Sequence, residues 1–174
     1  MNKLPEFVFR TGFGADVHAF VEGRPCILGG VNIPHHLGLA GHSDADAVVH
    51  ALCDAILGAM GLGDIGTWFP DNDPAFKDVD SLLLLAQVQK LMEENSCVLV
   101  NADIVLFAEE PKLKPHRQAI QNKLSEVLKC RPDQISVKAS TMEKKGFVGR
   151  SEGVFSQVVV SIYGPAQIKA ETPK

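Results

Sequence analysis

Asp16 and His18 have the spacing of two metal ligands on a β-strand. They stand two residues apart in the segment DVH, near the end of an alternating stretch from Phe7 to Phe20 that predicts a strand. Side chains two apart on a strand project from the same face, about 7 Å apart along it. A carboxylate and an imidazole on one face supply two of the three protein ligands of a catalytic Zn²⁺, whose fourth position stays open. The pair therefore indicates a candidate metal site that needs a third ligand.

His50 is a candidate for that ligand, because it lies at the edge of a predicted helix. Hydrophobic residues recur at helical spacing after Ser43, which predicts a helix that begins at about Ser43, its N-cap, and ends near Gly61. Asp46 and Asp54 are four residues before and after His50, so on a helix they flank the imidazole and could orient it. Taken alone, a partly exposed histidine with two carboxylate neighbours is the simpler interpretation.

The remaining pattern predicts an α+β fold, with a mixed β-sheet and helices packed on one face. Gly12 and Gly14 interrupt the first strand and indicate either a bulge or the close approach of another backbone. The pair Gly29-Gly30 predicts a two-residue turn within a short hairpin. Further strands are predicted at 97–107, 135–140 and 154–163, and further helices at 80–94 and 115–129.

Length and composition favour a globular protein of a cytosol-like compartment. A chain of 174 residues fits a single domain, for which we expect flexible ends at 1–6 and 164–174. Hydrophobic residues at 45% and charged residues at 22% argue against a disordered or a membrane protein. The net charge of −4 gives no basic footprint for nucleic acid or an anionic membrane. The four cysteines form no CxxC pair and are expected to be reduced, and the first ten residues lack the apolar core of a signal peptide.

Four motifs in a fixed order resemble one enzyme family. They are GxGxDVHxF from Gly12, GHSDAD followed by His50, GDIGxxFPDxD from Gly63, and the segment KASTMEKKGFVGRSEG from Lys138. Together they resemble the 2-C-methyl-D-erythritol 2,4-cyclodiphosphate synthases of the non-mevalonate isoprenoid pathway, over about residues 10–163. DVH alone would not be specific, whereas four ordered motifs are. The resemblance implies conversion of 4-diphosphocytidyl-2-C-methyl-D-erythritol 2-phosphate to the cyclodiphosphate and CMP.

The resemblance also assigns site residues, which are expectations at this point. Asp16, His18 and His50 would bind Zn²⁺, and Glu143 would bind Mg²⁺ or Mn²⁺ on the substrate diphosphate. His42 and Thr141 would stabilise the transition state of an attack by the 2-phosphate on the β-phosphate. Substrate contacts would come from Asp16, Val17, His18, His42, Ser43, Asp64, Ile65, Gly66, Phe69, Pro70, Asp71, Asn72, Asp73, Ala108, Glu109, Glu110, Pro111, Lys112, Leu113, Lys114, Ser140, Thr141, Met142, Glu143, Phe147 and Arg150.

The implied assembly is a homotrimer with active sites between subunits and a central hydrophobic cavity. In relatives an isoprenoid diphosphate binds on the trimer axis, and Arg150 faces either the substrate or that axis. Ala15 and Met142 depart from the residues usual in the family, and they would change the volume and lining of the cavity. No nucleic acid or membrane partner is expected. The expected location is the cytoplasm of a bacterium, or the plastid stroma of a eukaryote.

Two other functions remain open from the sequence. A zinc-dependent phosphoester hydrolase would use a metal-bound water and release CMP with an open-chain bisphosphate. A metal-stabilised trimer without chemistry would only bind isoprenoid diphosphates. The presence of Asp16, His18, His42, His50, Thr141 and Glu143 argues against the second function.

Overall fold

The structure is a computed structural model that describes residues 5–70 and 72–169. Strands and helices alternate irregularly along the chain, as expected for an α+β fold. The strands are β1 (Phe7–Val21), β2 (Ile27–Leu28), β3 (Val31–Asn32), β4 (Gly38–Leu39), β5 (Val98–Phe107), β6 (Ile135–Ser140) and β7 (Gly153–Pro165), and the helices are α1 (Ala47–Met60), α2 (Ile65–Trp68), α3 (Ser81–Glu94), α4 (Arg117–Val127) and α5 (Gly146–Gly149).

Five strands form one mixed sheet in the order β4-β1-β7-β5-β6. β1 runs antiparallel to β4 and β7, β7 antiparallel to β5, and only β5 and β6 are parallel. The hairpin β2–β3 is a separate ribbon whose turn residues Gly29 and Gly30 both have positive φ, as a type I′ turn requires. The predicted mixed sheet and hairpin are therefore confirmed.

Helix α1 packs directly on β1 because two glycines leave room for it. A Cβ at Gly12 would lie 1.8 Å from the carbonyl oxygen of Ala55, and one at Gly14 would lie 2.0 Å from that of Ala51. The glycines thus mark a close backbone approach rather than a bulge, since β1 keeps an unbroken register with β7 from Phe7 to Ala19. This contact sets how closely residues of β1 and α1 can meet.

The two faces of the sheet differ in their cover. α1 is buried along most of its length against β1 and β7, and α3 and α4 extend the helical layer on the same side. On the opposite face, aromatic and branched side chains alternate outward along β1 and β7, and Phe9 and Phe13 are 69% and 59% exposed. Val17 and Val159 lie on that face as well. We refer to it as the open sheet face.

The start of α1 differs from the prediction. The helix begins at Ala47 with Asp46 as its N-cap, not at Ser43, and Asp46 Oδ1 accepts from the N–H groups of Val48 and Val49. Ala45 has a φ of 60°, which interrupts a right-handed helix, so the segment that starts at Ser43 is a bent loop. The same Asp46 carboxylate accepts from the N–H groups of the hairpin turn, which ties this cap to the fold.

Other boundaries shift by a few residues. Gly164 and Pro165, expected in a flexible end, lie in β7, where they pair with Val8 and Phe7 of β1. α4 begins at Arg117, after a short 3₁₀ turn that contains Pro115. Proline suits the start of a helix, where its missing N–H leaves no hydrogen bond unmade. Residues 1–4 and 170–174 lie outside the described residues. No helix in the described ranges is long and apolar enough to span a bilayer.

Candidate active site

Three predicted ligands meet where β1 contacts α1. Asp16 Oδ2 lies 2.9 Å from His18 Nε2 and 3.1 Å from His50 Nδ1, and the two ring nitrogens are 3.1 Å apart. The three side chains are mostly buried, between 14% and 25% exposed. The structure therefore brings together residues that are 34 positions apart in the chain, and it does so through the close packing of α1 on β1.

Backbone geometry fixes which nitrogen of His18 faces the site. His18 Nδ1 lies 2.7 Å from the carbonyl oxygen of Ala40, which can only accept, so Nδ1 carries the proton and Nε2 is left for the site. Burial opposes charge on both partners, but hydrogen bonds and charge attraction outweigh it. Asp16 interacts with both His18 and His50, and His18 interacts with Asp16 and with the carbonyl oxygen of Ala40. The pKa of Asp16 is therefore well below its usual value, and the pKa of His18 is raised.

The donor set fits a divalent metal. A carboxylate and two imidazoles are ligands that Zn²⁺ accepts with one vertex open, and ligands about 2.0 Å from a tetrahedral ion are about 3.3 Å apart. The three donor atoms of Asp16, His18 and His50 have separations of 2.9 to 3.1 Å, close to that value. Without a cation, these electron-rich atoms would need protons between them. The site is thus one that could hold a metal.

The other nitrogen of His50 contacts hydroxyl groups rather than carboxylates. His50 Nε2 lies 2.9 Å from Ser81 Oγ and 3.1 Å from Ser43 Oγ. The predicted partners are engaged elsewhere: Asp46 caps α1, and Asp54 Oδ1 accepts from the N–H of Ile65 at 2.7 Å. The prediction that Asp46 or Asp54 orients His50 is therefore wrong.

A cavity of about 170 Å³ lies beside this triad. Ile65, Gly66 and Phe69 of the predicted substrate segment line it. His42 lines it too, and its buried Nε2 has no hydrogen-bond partner among the described residues. A buried ring nitrogen without a partner is costly, so it favours a ligand that supplies one. This arrangement suits an anion-bearing substrate next to the candidate metal.

Two acidic residues of the segment 64–73, Asp64 and Asp73, act as helix caps. Asp64 accepts from the N–H and hydroxyl of Thr67, which lowers its pKa, and Asp73 accepts from the N–H of Ala75. Both carboxylates thus have a structural partner, while Pro70 and Asn72 lie in the connection between them. Asp71 lies outside the described residues.

A second cavity, of about 150 Å³, joins the two predicted nucleotide segments. Its lining shares no residue with the triad cavity among the described residues. Arg117, which the sequence did not single out, lines it from the start of α4, where its position after a proline turn gave no signal of function. The remaining lining residues are Ala108, Pro111, Lys112, Leu113, Lys114, Ala139, Ser140 and Thr141.

The loop after β6 is held by Glu109. Glu109 Oε1 accepts from the N–H groups of Met142 and Lys144, and the hydroxyl of Thr141 donates to Glu143 Oε1 at 2.7 Å. Glu143 and Lys144 both have positive φ, so the loop adopts a conformation that side chains rarely favour. Glu109 therefore stabilises this loop, in addition to its predicted contact with the substrate.

Several predicted contacts line neither cavity, and four of them have surroundings of their own. Val17 is 53% exposed and points to the open sheet face, opposite to its neighbours Asp16 and His18. Glu110 is exposed, as is Phe147 in α5. Arg150 pairs with Glu152 through two hydrogen bonds. A single chain therefore does not gather these residues around one site.

Comparison with known proteins gives consistent relatives. Residues 9–163 match the YgbB family. The 2-C-methyl-D-erythritol 2,4-cyclodiphosphate synthase of Geobacillus thermodenitrificans is 54% identical over 153 residues, which cover 88% of this chain and 96% of the relative. The bifunctional IspDF from Campylobacter jejuni has a TM-score of 0.88 at 46% identity, over 92% of this chain and 43% of that one. A CDP-bound synthase structure has a TM-score of 0.80 at 40% identity, over 88% of this chain and 99% of that one.

Proposed function

Because the chain belongs to the YgbB family and is an enzyme of the 2-C-methyl-D-erythritol 2,4-cyclodiphosphate synthase type in isoprenoid biosynthesis, we propose how its residues carry out the reaction. The substrate is 4-diphosphocytidyl-2-C-methyl-D-erythritol 2-phosphate. An oxygen of its 2-phosphate bonds to the β-phosphorus, the bond from that phosphorus to the bridging oxygen breaks, and CMP leaves. The observation that carries this proposal is the convergence of Asp16, His18 and His50 beside a cavity.

Asp16, His18 and His50 would hold Zn²⁺. A bound ion would polarise a phosphate oxygen and offset the negative charge that develops there. The three side chains are well suited to this because their donor atoms already converge within 4.8 Å of one another. Because the nucleophile belongs to the substrate, the task of the protein is positioning and charge neutralisation. Holding the two phosphates in a reactive pose can lower the barrier by about 7 to 11 kcal/mol.

His42 and Ser43 bind the phosphates from the loop before α1. The buried Nε2 of His42 lines the triad cavity and lacks a partner in the described part of the chain, which supports a hydrogen bond to substrate. With Thr141 it stabilises the transition state. Ile65, Gly66 and Phe69 border the same cavity and contact the methylerythritol portion.

The nucleotide occupies the second cavity, which is lined by Ala108, residues 111–114, Arg117 and residues 139–141. A CDP-bound relative supports a cytidine nucleotide as the ligand class. Glu143 is an exposed carboxylate in the adjoining loop, and hard oxygen donors of this kind favour Mg²⁺ or Mn²⁺. We therefore assign Glu143 to a second divalent ion on the diphosphate.

The chain forms a homotrimer whose active sites lie between subunits. Two features support this: the triad cavity and the nucleotide cavity share no lining residue within the described part of one chain, and the open sheet face exposes large apolar side chains. Burial of that face around a threefold axis gives the central hydrophobic cavity. An isoprenoid diphosphate on that axis, with Arg150 as a contact, and the cytoplasmic or plastid location stay predictions.

Product analysis on one preparation tests the activity. Purified protein with Zn²⁺ and Mg²⁺ is incubated with the substrate, and the mixture is followed by phosphorus NMR together with metal analysis. CMP plus a cyclic diphosphate supports the cyclase. CMP plus an open-chain bisphosphate identifies a hydrolase, and substrate binding without CMP release identifies a binding protein. Sedimentation of the same sample tests the trimer.

A further inference from the structure

The outer edge of the His50 ring faces a chain of polar groups that ends on a carboxylate. His50 Nε2 lies 2.9 Å from Ser81 Oγ, and the Ser81 hydroxyl donates to Asp44 Oδ1. Asp44 Oδ2 also accepts from the N–H of Ser81 at 3.1 Å, so both carboxylate oxygens accept hydrogen bonds from this residue. We propose that Ser81 and Asp44 are positioning residues that fix the tautomer and orientation of His50, an inference that rests on the proposed metal site.

The direction of each hydrogen bond follows from what the groups can donate. An ionised carboxylate only accepts, so the one hydroxyl proton of Ser81 is committed to Asp44. Ser81 Oγ then offers only lone pairs to His50 Nε2, and the ring must donate the proton. A neutral imidazole with hydrogen on Nε2 has a lone pair on Nδ1. That atom is the one that lies 3.1 Å from Asp16 Oδ2 and from His18 Nε2.

Ser43 is compatible with the same assignment. Its hydroxyl oxygen accepts from the N–H of Ala45 at 3.1 Å and lies 3.1 Å from His50 Nε2, so it can also accept the ring proton. Ser43 is free to rotate its own proton toward either His50 or another acceptor, whereas Ser81 is held by Asp44. Ser81 is therefore the group that decides the tautomer.

The two histidines of the site are prepared in parallel ways. The carbonyl oxygen of Ala40 fixes hydrogen on Nδ1 of His18, and Ser81 fixes it on Nε2 of His50. Opposite nitrogens of the two rings consequently face Asp16. Hydrogen bonds of this type orient metal-bound histidines and strengthen them as ligands. Ser81 itself is fully buried in the first turn of α3, so bulk water does not compete for the hydrogen bonds of its hydroxyl.

The protonated ring nitrogen can be observed on the zinc-loaded full chain. Protein labelled with ¹⁵N-histidine is loaded with Zn²⁺ and examined by long-range ¹H–¹⁵N correlation, with His50→Gln to assign the signals of His50. The expected wild-type pattern has hydrogen on Nε2, protected from exchange with water, and zinc on Nδ1. In Ser81→Ala the Nε2 hydrogen should exchange faster, because it loses its acceptor on Ser81. A wild-type His50 with hydrogen on Nδ1, or an Nε2 hydrogen that exchanges equally fast in both proteins, would overturn the proposal.

Zinc affinity supplies the second measurement. Competition with a chromophoric chelator should show that Ser81→Ala binds Zn²⁺ about 10- to 100-fold more weakly than wild type, the usual effect of removing such a partner. Ser125→Ala is the matched control, since Ser125 is also a buried helical serine with one hydrogen bond, to the carbonyl oxygen of Asn122, and it should bind as wild type does.

The outcomes separate this inference from the proposed function. Equal zinc affinity and an unchanged exchange rate of the Nε2 hydrogen in Ser81→Ala would refute the role of Ser81 while leaving the metal site intact. Wild-type protein that binds no zinc would refute the metal site and, with it, the role of Ser81 toward that site. If Ser81→Ala does not fold, Asp44→Asn replaces it and should also weaken zinc binding; an unchanged affinity there counts against the proposal.

Discussion

Gly14→Ala should damage both the fold and the proposed metal site, because α1 packs directly on β1 at Gly14. A Cβ at this position would lie 2.0 Å from the carbonyl oxygen of Ala51 and 2.7 Å from the N–H nitrogen of Ala55. Ordinary contact begins near 3.4 Å, so the helix must retreat by about 1.4 Å. Both neighbours are backbone atoms and cannot rotate away.

The same retreat separates the proposed metal ligands. Gly14 is two residues before Asp16 on the same face of β1, and Ala51 directly follows His50 on α1. A metal site tolerates errors of about 0.2 Å in ligand distance, so a shift of about 1 Å between Asp16 and His50 detaches one ligand. We expect zinc affinity to fall by more than about 100-fold, beyond the loss caused by removing an outer partner. Overpacking should also lower the free energy of unfolding by about 3 kcal/mol.

Gly58→Ala is the matched control for this prediction. Gly58 is also in the α1–β1 pair, but a Cβ there would have its nearest contact at 3.9 Å, with the carbonyl oxygen of Phe13. Because glycine weakens a helix interior, this variant should gain about 0.5 to 1 kcal/mol. Urea unfolding followed by circular dichroism, at fixed chain concentration, and chelator competition measure the two quantities. Wild-type stability and zinc affinity in Gly14→Ala would show that the close approach does not position the site.

Three further predictions concern single carboxylates. Asp46→Asn should lower the free energy of unfolding by about 2 to 3 kcal/mol in urea titrations, because an amide cannot accept all four backbone N–H groups that the carboxylate holds. Glu109→Ala should lower kcat but leave zinc affinity unchanged, since it releases the loop at 142–144 and not the triad; reduced zinc binding would contradict this. In metal-free protein, Asp16→Asn should cost more stability at about pH 5 than at about pH 9. The pKa of Asp16 is lowered on folding, so its stabilisation is present above the usual pKa of 3.8. The pKa of His18 is raised, so its stabilisation is complete below the usual pKa of 6.5 and is lost at higher pH. The pair therefore stabilises the fold most between pH 3.8 and pH 6.5.

Local spacing predicted the parts of the site that lie within one element. The two-residue period of β1 placed Asp16 and His18 on one face, and the hydrophobic stripe placed His50 on a helix. Sequence spacing could not predict that these residues converge, because their convergence depends on a contact between residues 34 positions apart. Only the resemblance to a family joined the three ligands before the fold was known.

The wrong predictions have a common physical cause, which is competition from distant groups. Ser43 is a good local N-cap, but Asp46 serves α1 because the Gly29 and Gly30 N–H groups also need its carboxylate. Four-residue spacing pointed to Asp46 and Asp54 as partners of His50, yet the ring turns away from both toward Ser81 on α3. Helical spacing identifies neighbours on a surface; it does not say where a side chain points when another element is packed against it.

The register of β1 links the proposed metal site to the open sheet face. Asp16 and His18 point toward α1, and Val17 between them points to the apolar face. A slip of one residue would exchange these positions, directing Val17 into the site and both ligands outward. The long pairing with β7 and the contacts of Gly14 with α1 resist such a slip. A change that alters the open sheet face through the backbone of β1 must therefore alter the proposed metal site as well, whereas side-chain changes at Val17 leave the proposed ligands in place.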